Sequence, residues 1–223
     1  MNDTVSLTID NQPVTVPAGT TIWDAAQGLG IDIPVLCHSP RLPPVGVCRM
    51  CVVDTRGRNL PAACVRPCEE GMDVATGSER VHRNRRMLLE LLLADYPQPG
   101  AREASTGDDA LLALARDYGV TTSRFGGHPA AEPRHDDSSP VIAVDHQACI
   151  LCDRCIRGCN VLQHNHVMTR SGKGAETRIA FDLDTSMGAS TCVACGECQA
   201  VCPTGALTNR SLAGLALDED VTS

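Results

Sequence analysis

Apolar and polar residues alternate at the start of the chain: Val5, Leu7 and Ile9 share one face, Asp10-Asn11 interrupts, and Val14 and Val16 resume. Period-two alternation around a turn-forming pair predicts a β-hairpin. The period then lengthens. Thr21-Ile-Trp-Asp24 has the form of a capping box with Asp in place of Glu, and Ile22, Ala25 and Ala26 supply the apolar face of a helix that Gly28 and Gly30 stop. Beyond Pro34 lies a Pro- and Gly-rich loop, and Cys51-Val-Val-Asp54 and Met72-Asp-Val-Ala75 predict two short strands. Residues 79–96 are helical by pattern, with Leu88, Leu91 and Leu92 on one stripe and Arg83, Arg85 and Arg86 on the solvated side, ending before Pro97. A shorter helix is expected over about 108–118, closed by Gly119. Residues 121–140 show no periodicity and read as a linker or long surface loop. An apolar strand begins at Val141, and 177–181 predicts another.

Composition changes the picture because the usual packing units are scarce. Among 223 residues only Trp23, Tyr96, Tyr118, Phe125 and Phe181 are aromatic, whereas 13 are cysteine. Small domains with modest cores are implied, organised by something other than aromatic packing, and bound metal is the natural organiser. A formal charge of -8 and the lack of stacking side chains argue against a nucleic-acid partner. The longest apolar run, 87–94, is interrupted by Glu90 and too short to cross a bilayer, and no segment combines a basic start with an apolar signal region. The expectation is a soluble, cytoplasmic protein whose thiols stay reduced and serve as ligands.

Twelve cysteines fall into three sets of four. Cys149, Cys152, Cys155, Cys159 and Cys192, Cys195, Cys198, Cys202 are two copies of C-x2-C-x2-C-x3-C set 43 positions apart, and the second ends Cys202-Pro203 as bacterial cluster-binding runs do. One such loop wraps three corners of a 4Fe-4S cluster while its amides face the sulfurs. In two-cluster ferredoxins the last cysteine of each run serves the other cluster, so the expected sets are Cys149, Cys152, Cys155 with Cys202, and Cys192, Cys195, Cys198 with Cys159. Structural zinc is the competing reading, because paired C-x2-C motifs also build zinc ribbons. Eight cysteines in two runs of eleven residues favour iron. The first run departs from the pattern with Asn160 where the second has Pro203.

The N-terminal set, Cys37, Cys48, Cys51 and Cys64, suits a 2Fe-2S cluster held by a loop on a small sheet. Ile33-Pro-Val-Leu-Cys-His38, Gly46-Val-Cys-Arg-Met-Cys-Val52, Pro61-Ala-Ala-Cys-Val65 and Glu70-Gly-Met72 resemble the 2Fe-2S domain of the respiratory complex I large iron-sulfur subunit. The same module occurs in iron-only hydrogenases, in NAD-reducing hydrogenases with their small diaphorase subunit, and in the N-terminal region of NAD-linked formate dehydrogenase α-subunits. Arg85-Arg-Met-Leu-Leu-Glu-Leu-Leu-Leu-Ala94 and Ser123-Arg-Phe125 extend the resemblance over nearly the whole chain. It implies an α+β architecture: a β-grasp 2Fe-2S ferredoxin-like domain over 1–78, a helical connector over 79–120, a linker over 121–140, and a two-cluster 4Fe-4S bacterial-ferredoxin-like domain with a short tail over 141–223. It also favours Cys64 over Cys68 as a ligand and leaves Cys68 a spare thiol.

One departure is informative. Family members often follow the connector helix with a His-x3-Cys-x2-Cys-x5-Cys segment for a further cluster, whereas the stretch from Tyr96 to Asp109 has neither histidine nor cysteine. Three clusters are therefore expected, one 2Fe-2S and two 4Fe-4S. His82 reads as a helix-surface residue, His164 and His166 as surface or packing residues, and Gly172-Lys-Gly174 as an ordinary turn, not a dinucleotide loop. No flavin, nicotinamide or catalytic site is apparent. A nicotinamide carries a hydride and a cluster one electron, so the resemblance implies a flavoprotein NAD(H)-binding partner. It also implies a catalytic subunit: a molybdenum or tungsten pterin formate dehydrogenase, or alternatively a hydrogenase. A free-standing ferredoxin-like carrier and a zinc-stabilised interaction module are the other classes.

Overall fold

The computed structural model describes residues 4–97, 100–127 and 135–211. The chain forms two compact units, Met1–Leu88 and Leu89–Ser223. In the first, β1 (Thr4–Ile9) and β2 (Gln12–Pro17) pair antiparallel from Thr4 opposite Pro17 to Ile9 opposite Gln12. Asp10 and Asn11 hold φ of 46° and 66°, the left-handed pair of a tight two-residue hairpin turn. Helix α1 (Ile22–Gly28) begins where the Thr21 hydroxyl accepts from the Asp24 amide at 3.1 Å. It buries Ile22, Ala25 and Ala26. Strand β3 (Asp73–Val74) runs parallel to β1 and completes a sheet of order β2-β1-β3. Leu7, Ile9, Ile22, Ile33, Val53 and Val74 form one core with Cys51, Cys64 and Cys68.

Two expectations for this unit need correction. Cys51-Val-Val-Asp54 makes only isolated bridges, Val52 with Ala62 and Asp54 with Ala75. The backbone enters this stretch through Arg49 at φ 62°, and Pro61 opposite has no N–H to donate, so no ladder extends. Helix α2 (Glu79–Leu93) forms as expected, but its buried positions are Val81, Arg85, Leu89 and Leu93, while Leu91 is 49% exposed. Arg85 is thus not solvated. Its guanidinium donates to the Val52 carbonyl at 2.8 Å, and a charged head so bonded lets the stem sit in the stripe.

The second unit contains α3 (Ala101–Ser105) and α4 (Ala110–Asp117), the latter capped by the Asp109 carboxylate on the Leu111 and Leu112 amides at 3.0 Å. A sheet of order β4-β5-β8 joins β4 (His135–Asp136), β5 (Ile142–Asp145) and β8 (Leu207–Asn209). Strand β4 falls inside the stretch read as linker, of which 128–134 lie outside the described residues. Strands β6 (Met168–Ser171) and β7 (Arg178–Phe181) form a separate hairpin, with Gly172 and Gly174 at positive φ in its turn. Helices α5 (Arg154–Arg157) and α6 (Glu197–Ala200) are four residues each and stand 43 positions apart, as the cysteine runs do. The repeat extends to the backbone: Leu151 and Asp153 (φ 52° and 61°) correspond to Ala194 and Gly196 (φ 54° and 80°).

Candidate metal centres

The loop between α1 and β3 brings Cys37, Cys48, Cys51 and Cys64 together. The Cys37 amide donates to the Cys48 sulfur at 3.3 Å, and the Cys51 thiol donates to the Cys64 sulfur at 3.3 Å. All but Cys48 are buried. Contacts among these thiols act in opposite directions, holding Cys37 below the ordinary thiol range, chiefly through Cys48, and Cys64 above it, chiefly through Cys37. Like charges in contact repel, so the four thiols cannot all ionise together without a positive charge among them. Cys68 lies in the same core but outside this group, its amide bonded to the Thr20 carbonyl at 2.8 Å and its thiol raised by burial.

Two further cavities lie in the second unit. One is lined by Cys149, Cys152, Cys155 and Cys202 together with Leu151, Ile179 and Leu207. The other is lined by Cys159, Cys192, Cys195 and Cys198 together with Asn165, Val193 and Met187. Each gathers three thiols of one run and the last thiol of the other. The left-handed residues at 151, 153, 194 and 196 curl each loop around its cavity. Burial raises Cys149 to about 11, Cys152 and Cys198 to about 12, and Cys155 well above the ordinary thiol range. A cationic iron core offsets such a penalty, because coordination deprotonates a thiol outright. Among the described residues no three His, Cys, Asp or Glu side chains converge as on a single ion. Ligands of a cluster stand instead around a core several atoms across, so the donor sets fit that group.

The two cavities have different neighbours. Around the second, the Ala194 amide donates to the Cys192 sulfur at 3.4 Å and Asn165 Nδ2 to the Cys195 sulfur at 3.7 Å. Around the first, Thr204 donates to the Ala148 carbonyl at 2.8 Å, and Arg102 Nη1 donates to the Cys202 carbonyl at 2.7 Å. The buried Tyr96 hydroxyl donates to the Asp109 carboxylate and accepts from the Gly205 amide at 3.2 Å. In the sequence the Tyr96–Asp109 stretch stands out only for the ligands it lacks. No local signal marks a bond between residues a hundred positions apart. Asn160, at the place of the second run's proline, ties its run to β6 through the Met168 carbonyl at 3.1 Å. His82, His164 and His166 are exposed.

Comparison with known proteins indicates the same two cluster types. Residues 2–79 match the family described as a 2Fe-2S iron-sulfur cluster binding domain, and residues 140–206 match the 4Fe-4S dicluster domain. The NADP-reducing hydrogenase subunit HndD of Solidesulfovibrio fructosivorans is 39% identical over 92% of this chain and 36% of its own length. The mitochondrial NADH-ubiquinone oxidoreductase 78 kDa subunit of Neurospora crassa is 32% identical over 94% of this chain and 28% of its own length. The chain therefore spans little more than a third of the first of these curated relatives and little more than a quarter of the second. In the crystal structure of an NAD+-reducing [NiFe]-hydrogenase in its H2-reduced state, one chain superposes with a TM-score of 0.83 and 32% identity. That match covers 93% of this chain and 88% of the other. The chain belongs to the iron-sulfur electron-transfer family that unites the complex I large iron-sulfur subunit with its counterparts in NAD(P)-reducing hydrogenases.

Proposed function

We propose that this chain is a one-electron relay within an NAD-linked oxidoreductase complex, carrying a 2Fe-2S cluster on Cys37, Cys48, Cys51 and Cys64. Cys149, Cys152, Cys155 and Cys202 hold one 4Fe-4S cluster, and Cys192, Cys195, Cys198 and Cys159 hold the other. The observation that supports this reading is that the twelve thiols gather as three separate sets of four, two of them exchanging their last member. Iron-sulfur clusters so held supply one-electron transfer at potentials that charge, hydrogen bonds to sulfur and exposure set. The chain's own residues hold sulfur by cysteine, exclude water by burying most of those thiols, and direct amides from Cys37, Ala194 and Asn165 at sulfur.

The relay runs between a flavoprotein that handles NAD(H) and a catalytic metal subunit. Two complete cysteine runs favour a molybdenum or tungsten formate dehydrogenase. The similarity to hydrogenase subunits favours a hydrogenase as the second reading. Mass spectrometry of the native complex purified without oxygen, with visible and paramagnetic resonance spectra, tests both. A brown complex containing a flavoprotein supports the relay, and the identity of the metal subunit chooses between the readings. A colourless zinc-loaded protein, or a brown monomer that never copurifies with a flavoprotein, overturns it.

A further inference from the structure

The two dicluster cavities differ in the guanidinium groups bonded to their loops. Among the described residues neither cavity is lined by Lys or Arg. Behind the loops of the cavity of Cys149, Cys152, Cys155 and Cys202, guanidinium groups donate to backbone carbonyls, Arg102 to Cys202 at 2.7 Å, Arg157 to Cys152 at 3.3 Å and Arg170 to Leu151 at 2.7 Å, and the charge of Arg154 on α5 also acts on Cys152 and Cys202. Arg170 is also paired with Asp153 at 2.7 Å, and there the carboxylate is the less exposed partner, 22% against 41%. That pairing cancels much of its field. For Arg102 the order is reversed: its side chain is 17% exposed, whereas its partner Asp108 is 55% exposed at 2.8 Å. The cation faces the protein and its counter-charge faces water, where solvent and salt screen it. Arg157 belongs to α5, the helix that carries Cys155, but Arg102 comes from α3, which bears no candidate ligand.

We propose that Arg102 is a positioning residue that raises the reduction potential of the cluster held by Cys149, Cys152, Cys155 and Cys202, by fixing a positive charge on the Cys202 carbonyl. The inference rests on the ligand sets proposed above. Each reduction adds one electron, breaks no bond, and makes the cluster more negative, so a nearby fixed cation favours the reduced state. Asp108 tunes the same charge with opposite sign.

The test is a redox titration followed by paramagnetic resonance on the full chain purified without oxygen, with the relevant signal assigned by its absence in Cys149→Ala. In Arg102→Gln the ratio of oxidised to reduced cluster at the wild-type midpoint should rise at least about threefold, a downward shift of about 30 mV at about 59 mV per tenfold for one electron. Arg102→Lys should keep most of the potential, and Asp108→Asn should move it up. The signal of the other 4Fe-4S cluster should move in none of them. Structural damage would shift Arg102→Gln and Asp108→Asn the same way, and that result overturns the proposal, as does full iron content with no shift. If Arg102→Gln loses the cluster, the Asp108→Asn shift decides, and its absence overturns the role of Arg102. Wild-type protein with far fewer than about ten irons per chain would instead sink the ligand assignment itself.

Discussion

In the first unit Cys37, Cys48, Cys51 and Cys64 hang from a loop backed by a hairpin, a capped helix and a shared apolar core, whereas the dicluster part of the second unit has α5 running into a π-helical turn over Gly158–Leu162, a four-residue α6, and strands of two to four. Helical stretches this short have little stability of their own, and strands of two to four residues seldom hold a sheet together. The first scaffold should therefore persist without its metal. In the second, the metal supplies much of what a core would supply.

The strongest way to break this contrast is to remove iron with a chelator under reducing conditions and follow amide hydrogen exchange. Protection over 142–209 should be lost while β1, β2 and α1 keep theirs; equal loss in both units refutes the contrast. Next in size is the effect of single ligands on iron content. Cys202→Ala should delete the cluster held by the first run, and Cys159→Ala the cluster held by the second; the reverse outcome shows that each run closes its own cluster. Within the first unit, Ile22→Ala removes a fully buried side chain and should cost about 2–5 kcal/mol in denaturant unfolding, with the 4Fe-4S signals unchanged. Smallest is Tyr96→Phe. It strips the buried Asp109 carboxylate of a donor and the Gly205 amide of an acceptor, and should cost about 1–3 kcal/mol, read in the second unit alone.

Features with local causes were legible in the sequence. The hairpin follows from alternation around Asp10-Asn11, α1 from the Thr21 cap, and α4 from the periodic run that Gly119 closes. The gathering of the cysteines was equally plain, because their spacing is local within each run. What escaped depends on contacts distant in sequence. Arg85 in a run of arginines looks solvated, and its bond to the Val52 carbonyl across the fold helps make its burial tolerable. Arg102 and Tyr96 bear no mark of their bonds to Cys202 and Gly205. Hairpin β6–β7 was half visible, since the apolar run of β7 stands out but Met168-Thr-Arg-Ser171 offers no alternation of its own.

The exchange of Cys159 and Cys202 between the two cavities bears on the order of assembly. With the ligand sets proposed above, the first cluster to be seated would clamp both runs and make the four remaining thiols near neighbours at high effective concentration. The second insertion is then far easier than the first. Half-loaded chains should accordingly be scarce in a limited iron supply, the population dividing into fully loaded and empty molecules.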